Sequence, residues 1–183
     1  MTCIVALEHD DKVYMGSDSA AAAGWHMRRT AISKIFEVGA FTIGFTRSFR
    51  MGQLLEYGLT VRERKPDEKA MTYMVTGFIP AVRECLAKGG YTKIENNREE
   101  TGEMLVVYDR KVYSVYSDLQ VNCYLNCIAA VGCGQPYALA SLATTMLTTK
   151  DFDPRKAVMN ALEIAGMLSN GVCRPFQVVC IQK

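Results

Sequence analysis

Directly after Met1 the chain reads Thr2-Cys3-Ile4-Val5-Ala6-Leu7, apolar at consecutive positions rather than at alternate ones. Successive side chains of a strand leave opposite faces, so a half-exposed strand alternates apolar and polar residues. This one does not, and it demands cover on both sides of its sheet. The turn-like His9-Asp10-Asp11 and a second run, Lys12-Val13-Tyr14-Met15-Gly16, extend it into a hairpin. Residues 19–30 read as irregular. A second strand pair follows at 33–38 and 41–45 around Gly39-Ala40, giving a sheet of at least four strands.

The period then changes. A short helix is expected at 49–59, and a longer one from Asp67, where Met71, Met74, Val75, Phe78, Ile79, Val82 and Leu86 recur at spacings of three and four until Gly89-Gly90. Pro80 should kink it. The polar stretch 91–101 reads as a loop. Strands at 103–108, 112–117 and 127–132 come next, then a helix over 136–149. Another opens with Asp153 as cap and Pro154 in the first position, turning Val158, Leu162, Ile164 and Ala165 inward. A strand at 175–181 closes the chain. No linker or repeat divides residues 1–183, which reads as a single domain, and two sheets stacked between helix layers satisfy both this order and the doubly apolar strands.

Several functional classes are excluded at this level. With 21 Lys+Arg against 19 Asp+Glu the formal charge is +2, and the basic residues are scattered, so no nucleic-acid footprint exists. No apolar run approaches the ~20 residues of a membrane helix, and the N-terminus lacks the pattern of a signal peptide. Seven cysteines without a C-x-x-C pair read as reduced, buried thiols of a cytoplasmic protein. His9 and His26 are the only histidines, and both read as surface residues; a histidine-based triad is poorly supplied. Neither stands at metal-ligand spacing from a cysteine, so neither a metal nor a cofactor is expected.

What remains is the start of the chain. If Met1 is removed, Thr2 carries a free α-amine beside its own hydroxyl. That amine has an unperturbed pKa of ~7.7–8.0, so a useful neutral fraction exists near pH 7 and it can serve as the base. If Met1 stays, the nitrogen is an amide and no base exists. Such a nucleophile also needs a cation and an acid to hold that cation. Asp18, just past the second strand, and Lys34, at the start of the third, follow at successive intervals of sixteen residues. Cys3 is the rival nucleophile, but its place in the strand turns it toward the core.

The stretches Thr2-Cys3-Ile4-Val5, Gly16-Ser17-Asp18-Ser19, Lys34 and Ile43-Gly44-Phe45 resemble the proteasome β-subunit family, closest to the peptidase subunit of the bacterial two-component ATP-dependent protease and its phage and bacterial relatives. Residues 130–138 resemble that family's strand-to-helix turn and 161–166 its later helix. The resemblance implies an α+β, four-layer αββα sandwich of the N-terminal nucleophile hydrolases. It implies an enzyme, a threonine-type peptidase that cleaves unfolded polypeptide through an ester on Thr2, with Lys34 lowering the hydroxyl's pKa and Asp18 orienting Lys34. It implies a homo-oligomeric ring fed by an ATP-dependent unfoldase.

Three departures accompany it. Arg47 stands where the family has the glycine whose backbone N–H serves the oxyanion; the N–H survives, but a long cationic side chain is added. Cys133 replaces a serine near the threonine amine, and a thiol is a weaker donor than a hydroxyl. The segment 166–169 lacks the family's acid and leaves Ser169 as its match. Two alternatives therefore stand beside the peptidase: a ring protein that kept the fold and lost catalysis, and an amidase of small amides using the same residues without a chamber.

Overall fold

The computed structural model describes residues 1–91, 93–95 and 98–182. In chain order, β1 (Ile4–His9) and β2 (Lys12–Ser17) form the first hairpin, β3 (Ala20–Ala23) and β4 (His26–Arg29) a second, and β5 (Ile35–Val38) and β6 (Phe41–Phe45) a third. Helix α1 (Phe49–Gly58) and a broken helix follow, the latter made of α2 (Ala70–Tyr73), a π turn (Met74–Phe78) and α3 (Ile79–Lys88). Then come β7 (Lys93–Glu95), β8 (Arg98–Glu100), β9 (Met104–Tyr108), β10 (Lys111–Val115), β11 (Val121–Asn122) and β12 (Ile128–Val131). Helices α4 (Gln135–Thr148) and α5 (Pro154–Leu168) precede the last strand, β13 (Gln177–Ile181).

Two antiparallel sheets carry the fold. One has the order β12-β1-β2-β13, the other β11-β10-β9-β6-β5. The first and third hairpins thus lie in different sheets, not side by side in one.

The unbroken apolar run of β1 is explained by what each face meets. Ile4 and Ala6 point into the layer between the sheets with Val13, Met15, Leu105 and Val107. Cys3, Val5 and Leu7 point the other way, onto Leu142 of α4 and Val158, Ala161 and Leu162 of α5. Strand β9 repeats the device: Leu105 and Val107 enter the inter-sheet layer, while Met104 and Val106 join Met51, Leu55, Met74, Phe78 and Val82 from the helices on the far side. The stack is helix, sheet, sheet, helix, the expected α+β sandwich. Burying a Leu, Ile, Val or Met side chain contributes ~1.5–3 kcal/mol, so β1 and β9 alone anchor much of the three cores.

Several expectations are corrected. Residues 19–30 are not irregular but contain the β3–β4 hairpin, whose Ala-rich first strand offered no apolar–polar alternation to read. Part of 91–101 is likewise a hairpin, β7–β8, while residues 92, 96 and 97 of that stretch lie outside the described residues. At Pro80, where a kink is expected, the regular helix is interrupted by the π turn just before it, in which the Ile79 N–H reaches back five residues to the Met74 carbonyl. Ile164 turns outward at 38% exposure, because α5 presents Ala161, Leu162 and Ala165 to the sheet instead. Of the seven free cysteines Cys3 is buried, whereas Cys123, Cys133 and Cys180 are exposed. No helix of the described residues is long and apolar enough to cross a membrane.

Candidate active site

Thr2 precedes β1, Asp18 follows β2 and Lys34 precedes β5, so three strand ends from both sheets deliver them to one place. Hairpin pairing sets Ile4 opposite Ser17, which brings the start of the chain beside Asp18. Lys34 enters from the other sheet, its carbonyl accepting from the Phe45 N–H at 3.1 Å. All three residues are buried, with Thr2 at 4% and Asp18 and Lys34 at 2% exposure.

The contacts are direct. Lys34 Nζ donates to Thr2 Oγ1 at 2.8 Å and to Asp18 Oδ1 at 2.8 Å. Asp18 Oδ1 also accepts from the Cys3 N–H at 3.0 Å, and Oδ2 from Ala20 at 2.7 Å and Cys173 at 3.5 Å. A carboxylate held by three backbone donors is fixed in place, and its charge compensates the buried ammonium. Burial pulls the Lys34 ammonium below the ordinary lysine value, while Asp18 opposes that shift. The arrangement puts a desolvated cation against the Thr2 hydroxyl, which favours the alkoxide.

The backbone nitrogen of Thr2 lies on another side. It donates to Cys133 Sγ at 3.3 Å, and Ser169 Oγ donates to the same sulfur at 3.4 Å. With Met1 attached this nitrogen is an amide. Met1 itself is half exposed.

Arg47 lies in the turn between β6 and α1 with φ 70°, a left-handed conformation that is uncommon for a residue with a side chain and costs ~1–2 kcal/mol. Its neighbours use their N–H groups, Thr46 to the Glu103 carbonyl and Ser48 to the Thr46 carbonyl, whereas the Arg47 N–H has no acceptor among the described residues. The guanidinium turns to the Thr101 carbonyl at 2.9 Å and the Glu100 carboxylate at 3.8 Å.

Cys3 does not compete as a nucleophile. It is fully buried, and burial, aided by the Asp18 charge, pushes its thiol up to about 12. His26 is exposed, and His9 ends β1 half-buried against the Phe152 ring; neither borders a cavity at Thr2.

Two cavities meet at Thr2. One, of about 240 Å³, runs past Lys34, Phe45 and the alanines of β3; the other, of about 320 Å³, runs past Glu103, Gly132 and Cys133. Met1 and Arg47 border both. The sequence reading missed Glu103, whose Oε2 accepts from the Gly132 N–H at 3.2 Å, and the alanine wall. Neither carried a signal, since a glutamate at a strand start and a run of alanines are ordinary until the fold sets them beside Thr2.

No family model matches the chain, and no curated protein matches it. Solved structures do. Thiobacillus denitrificans BPH superposes with a TM-score of 0.80 at 17% identity, covering 98% of this chain and 97% of that one. HslV from Trypanosoma brucei gives 0.70 at 15% identity, with 99% of each chain covered. Anbu, the ancestral β-subunit from Yersinia bercovieri, gives 0.66 at 12% identity, covering 98% of this chain and 81% of that one.

Proposed function

Starting from a chain with the fold of proteasome β-subunits and HslV, we propose that it is a threonine peptidase in which Thr2, exposed by removal of Met1, is the nucleophile. The observation that carries this reading is the position of Lys34 Nζ, 2.8 Å from Thr2 Oγ1 and 2.8 Å from Asp18 Oδ1.

In this reading the neutral α-amine of Thr2 takes the hydroxyl proton as Oγ1 attacks the scissile carbonyl. Lys34 stabilises the anion forming on Oγ1, and Asp18 holds Lys34. The Arg47 N–H donates to the carbonyl oxygen as it gains charge. The C–N bond then breaks, the α-ammonium returns its proton to the leaving nitrogen, and an ester on Thr2 remains. Water, deprotonated by the same amine, attacks the ester and frees Oγ1. Cys133 and Ser169 line the amine's side and relay protons less readily than a hydroxyl pair. No cofactor or metal is needed at any step.

The substrate class is unfolded polypeptide, cut inside a homo-oligomeric ring in the cytoplasm and delivered by an ATP-dependent unfoldase. Support for assembly comes from α4 and α5, whose outer face leaves Leu147, Ile164, Met167 and Leu168 exposed beside an open groove of about 540 Å³.

Intact-mass analysis of native protein tests the premise: loss of Met1 is expected. Epoxomicin, seen bound to the Thiobacillus denitrificans relative, is expected to bind the Met1-free chain and not its Thr2→Ala variant. Fluorogenic peptide hydrolysis should vanish in the same variant; equal turnover by Thr2→Ala overturns the assignment. The contact of Cys133 with the Thr2 nitrogen favours a second reading, a ring protein without catalysis, and Met1 retained throughout the native population would decide for it. A stable monomer with amidase activity would instead favour the chamberless enzyme.

A further inference from the structure

We infer that the cavity on the Cys133 side of Thr2 is the leaving-group subsite and that Glu103 makes it select a basic side chain immediately after the scissile bond. This rests on the peptidase reading above.

The assignment of sides follows from where the proton must go. The leaving nitrogen is protonated by the α-ammonium of Thr2, so it departs on the side of that nitrogen. The Thr2 nitrogen faces Cys133 at 3.3 Å, whereas its hydroxyl faces Lys34. The cavity of Lys34, Phe45 and the β3 alanines therefore receives the acyl side chain, and the cavity of Glu103, Gly132 and Cys133 receives the residue that leaves.

Charge supplies the specificity. Arg47 and Glu103 are the charged side chains on this second cavity. Arg47 is engaged by the Thr101 carbonyl and the Glu100 carboxylate. Glu103 is held differently: Oε2 accepts from the Gly132 N–H at 3.2 Å, and Oε1 has no donor among the described residues. Gly132 in turn packs against the Thr2 carbonyl, so the carboxylate is tied to the nucleophile's own backbone. A partly shielded carboxylate with a free oxygen, at the wall of a cavity of about 320 Å³, fits an ammonium or guanidinium on a long stem.

The test uses Met1-free protein and internally quenched peptides identical except for the residue after the cleaved bond, which is Lys, norleucine or Glu. The Lys peptide is expected to be cleaved with a kcat/KM about tenfold above norleucine, and Glu to be the poorest. Glu103→Gln keeps an oxygen for the Gly132 N–H and should bring Lys within about threefold of norleucine, leaving preference on the acyl side unchanged. No preference for Lys in the wild type, or an undiminished one in Glu103→Gln, overturns the subsite. If no peptide is cleaved, the peptidase reading fails on its own, and the subsite is decided by binding. Labelled Lys and norleucine peptides titrated into Thr2→Ala by fluorescence anisotropy should differ about fivefold in Kd, and the difference should vanish in Thr2→Ala/Glu103→Gln; equal affinities in Thr2→Ala overturn it.

Discussion

Gly132 lies directly against the backbone of Thr2: a Cβ on the glycine would fall 2.3 Å from the Thr2 carbonyl oxygen. Its φ of 92° adds a second constraint, since residues with side chains rarely adopt that conformation. The obstacle is backbone, not the end of a flexible side chain, so relief requires moving Thr2 itself. Gly132→Ala is expected to lose at least ~2 kcal/mol of stability and to reduce peptidase activity at least ~10²-fold. Urea unfolding and peptide turnover check this; a wild-type midpoint with wild-type activity refutes it.

Asp18 and Lys34 separate stability from catalysis. Asp18→Asn leaves a buried ammonium without its counter-charge and should cost ~3–5 kcal/mol as well as activity. Lys34→Met in turn leaves the buried Asp18 carboxylate without its cation and should also lose stability, whereas Asp18→Asn/Lys34→Met removes both charges and should stay near wild type in stability while acylation falls at least ~10²-fold. Thermal denaturation alongside burst kinetics distinguishes them. An active Lys34→Met would remove Lys34 from the mechanism.

The rate should depend on pH in two steps. It rises as the Thr2 α-amine becomes neutral, near its unperturbed ~7.7–8.0. It falls as Lys34 loses its proton, because a neutral amine no longer stabilises the anion on Oγ1. Burial lowers the lysine, so that fall should be centred below the ordinary lysine value of 10.5. Stability runs the other way in the same window: the unfolded chain binds a proton there that the folded chain has released, so this group's contribution to stability rises with pH. A kcat/KM profile with no fall below pH 10.5 would contradict the assignment of Lys34.

How much of this was legible from the residues alone divides along physical lines. The doubly apolar β1 announced a stacked sheet, and the helix cap at Asp153-Pro154 was readable because caps use local chemistry: Asp153 accepts from the Lys156 N–H in the structure. Thr2, Asp18 and Lys34 were legible as candidates because the threonine chemistry demands a cation and an acid. The β3–β4 hairpin was not, since four alanines followed by an exposed His-Met-Arg-Arg strand give no alternation. Glu103 was invisible because its importance arises from the Gly132 contact, twenty-nine residues away in sequence. The outward turn of Ile164 was hidden because the small Ala161 and Ala165 compete with it for the sheet and allow closer approach.

Within the inter-sheet layer Thr42 and Ser114 are buried, and their hydroxyls have no hydrogen-bond partner among the described residues. An unpaired buried hydroxyl costs ~1–3 kcal/mol, whereas a methyl of the same shape costs nothing in lost hydration. Thr42→Val should therefore raise stability by ~1 kcal/mol, read as a higher urea midpoint at unchanged m-value. A lower midpoint would mean that the hydroxyl has a partner, such as a bound water.

Cys133 offers the most direct test of the proposed proton path. Its sulfur stands 3.3 Å from the Thr2 nitrogen and 3.4 Å from Ser169 Oγ, longer contacts than an oxygen would make. A hydroxyl at this position both donates and accepts more strongly, so it should pass the proton between the amine, the leaving nitrogen and the hydrolytic water more readily. Cys133→Ser is expected to raise kcat by about three- to tenfold with KM little changed, because the gain acts on proton transfer and not on substrate binding. The same residue should make the wild type sensitive to thiol alkylation: Cys133 is exposed, and an adduct on its sulfur would fill the space beside the Thr2 nitrogen. Cys123 and Cys180 are also exposed, so modification alone does not identify the site. Protection of activity in Cys133→Ser, with Cys123 and Cys180 still alkylated by mass, does. Equal inactivation of both proteins, or a slower Cys133→Ser, would place the thiol outside the proton path.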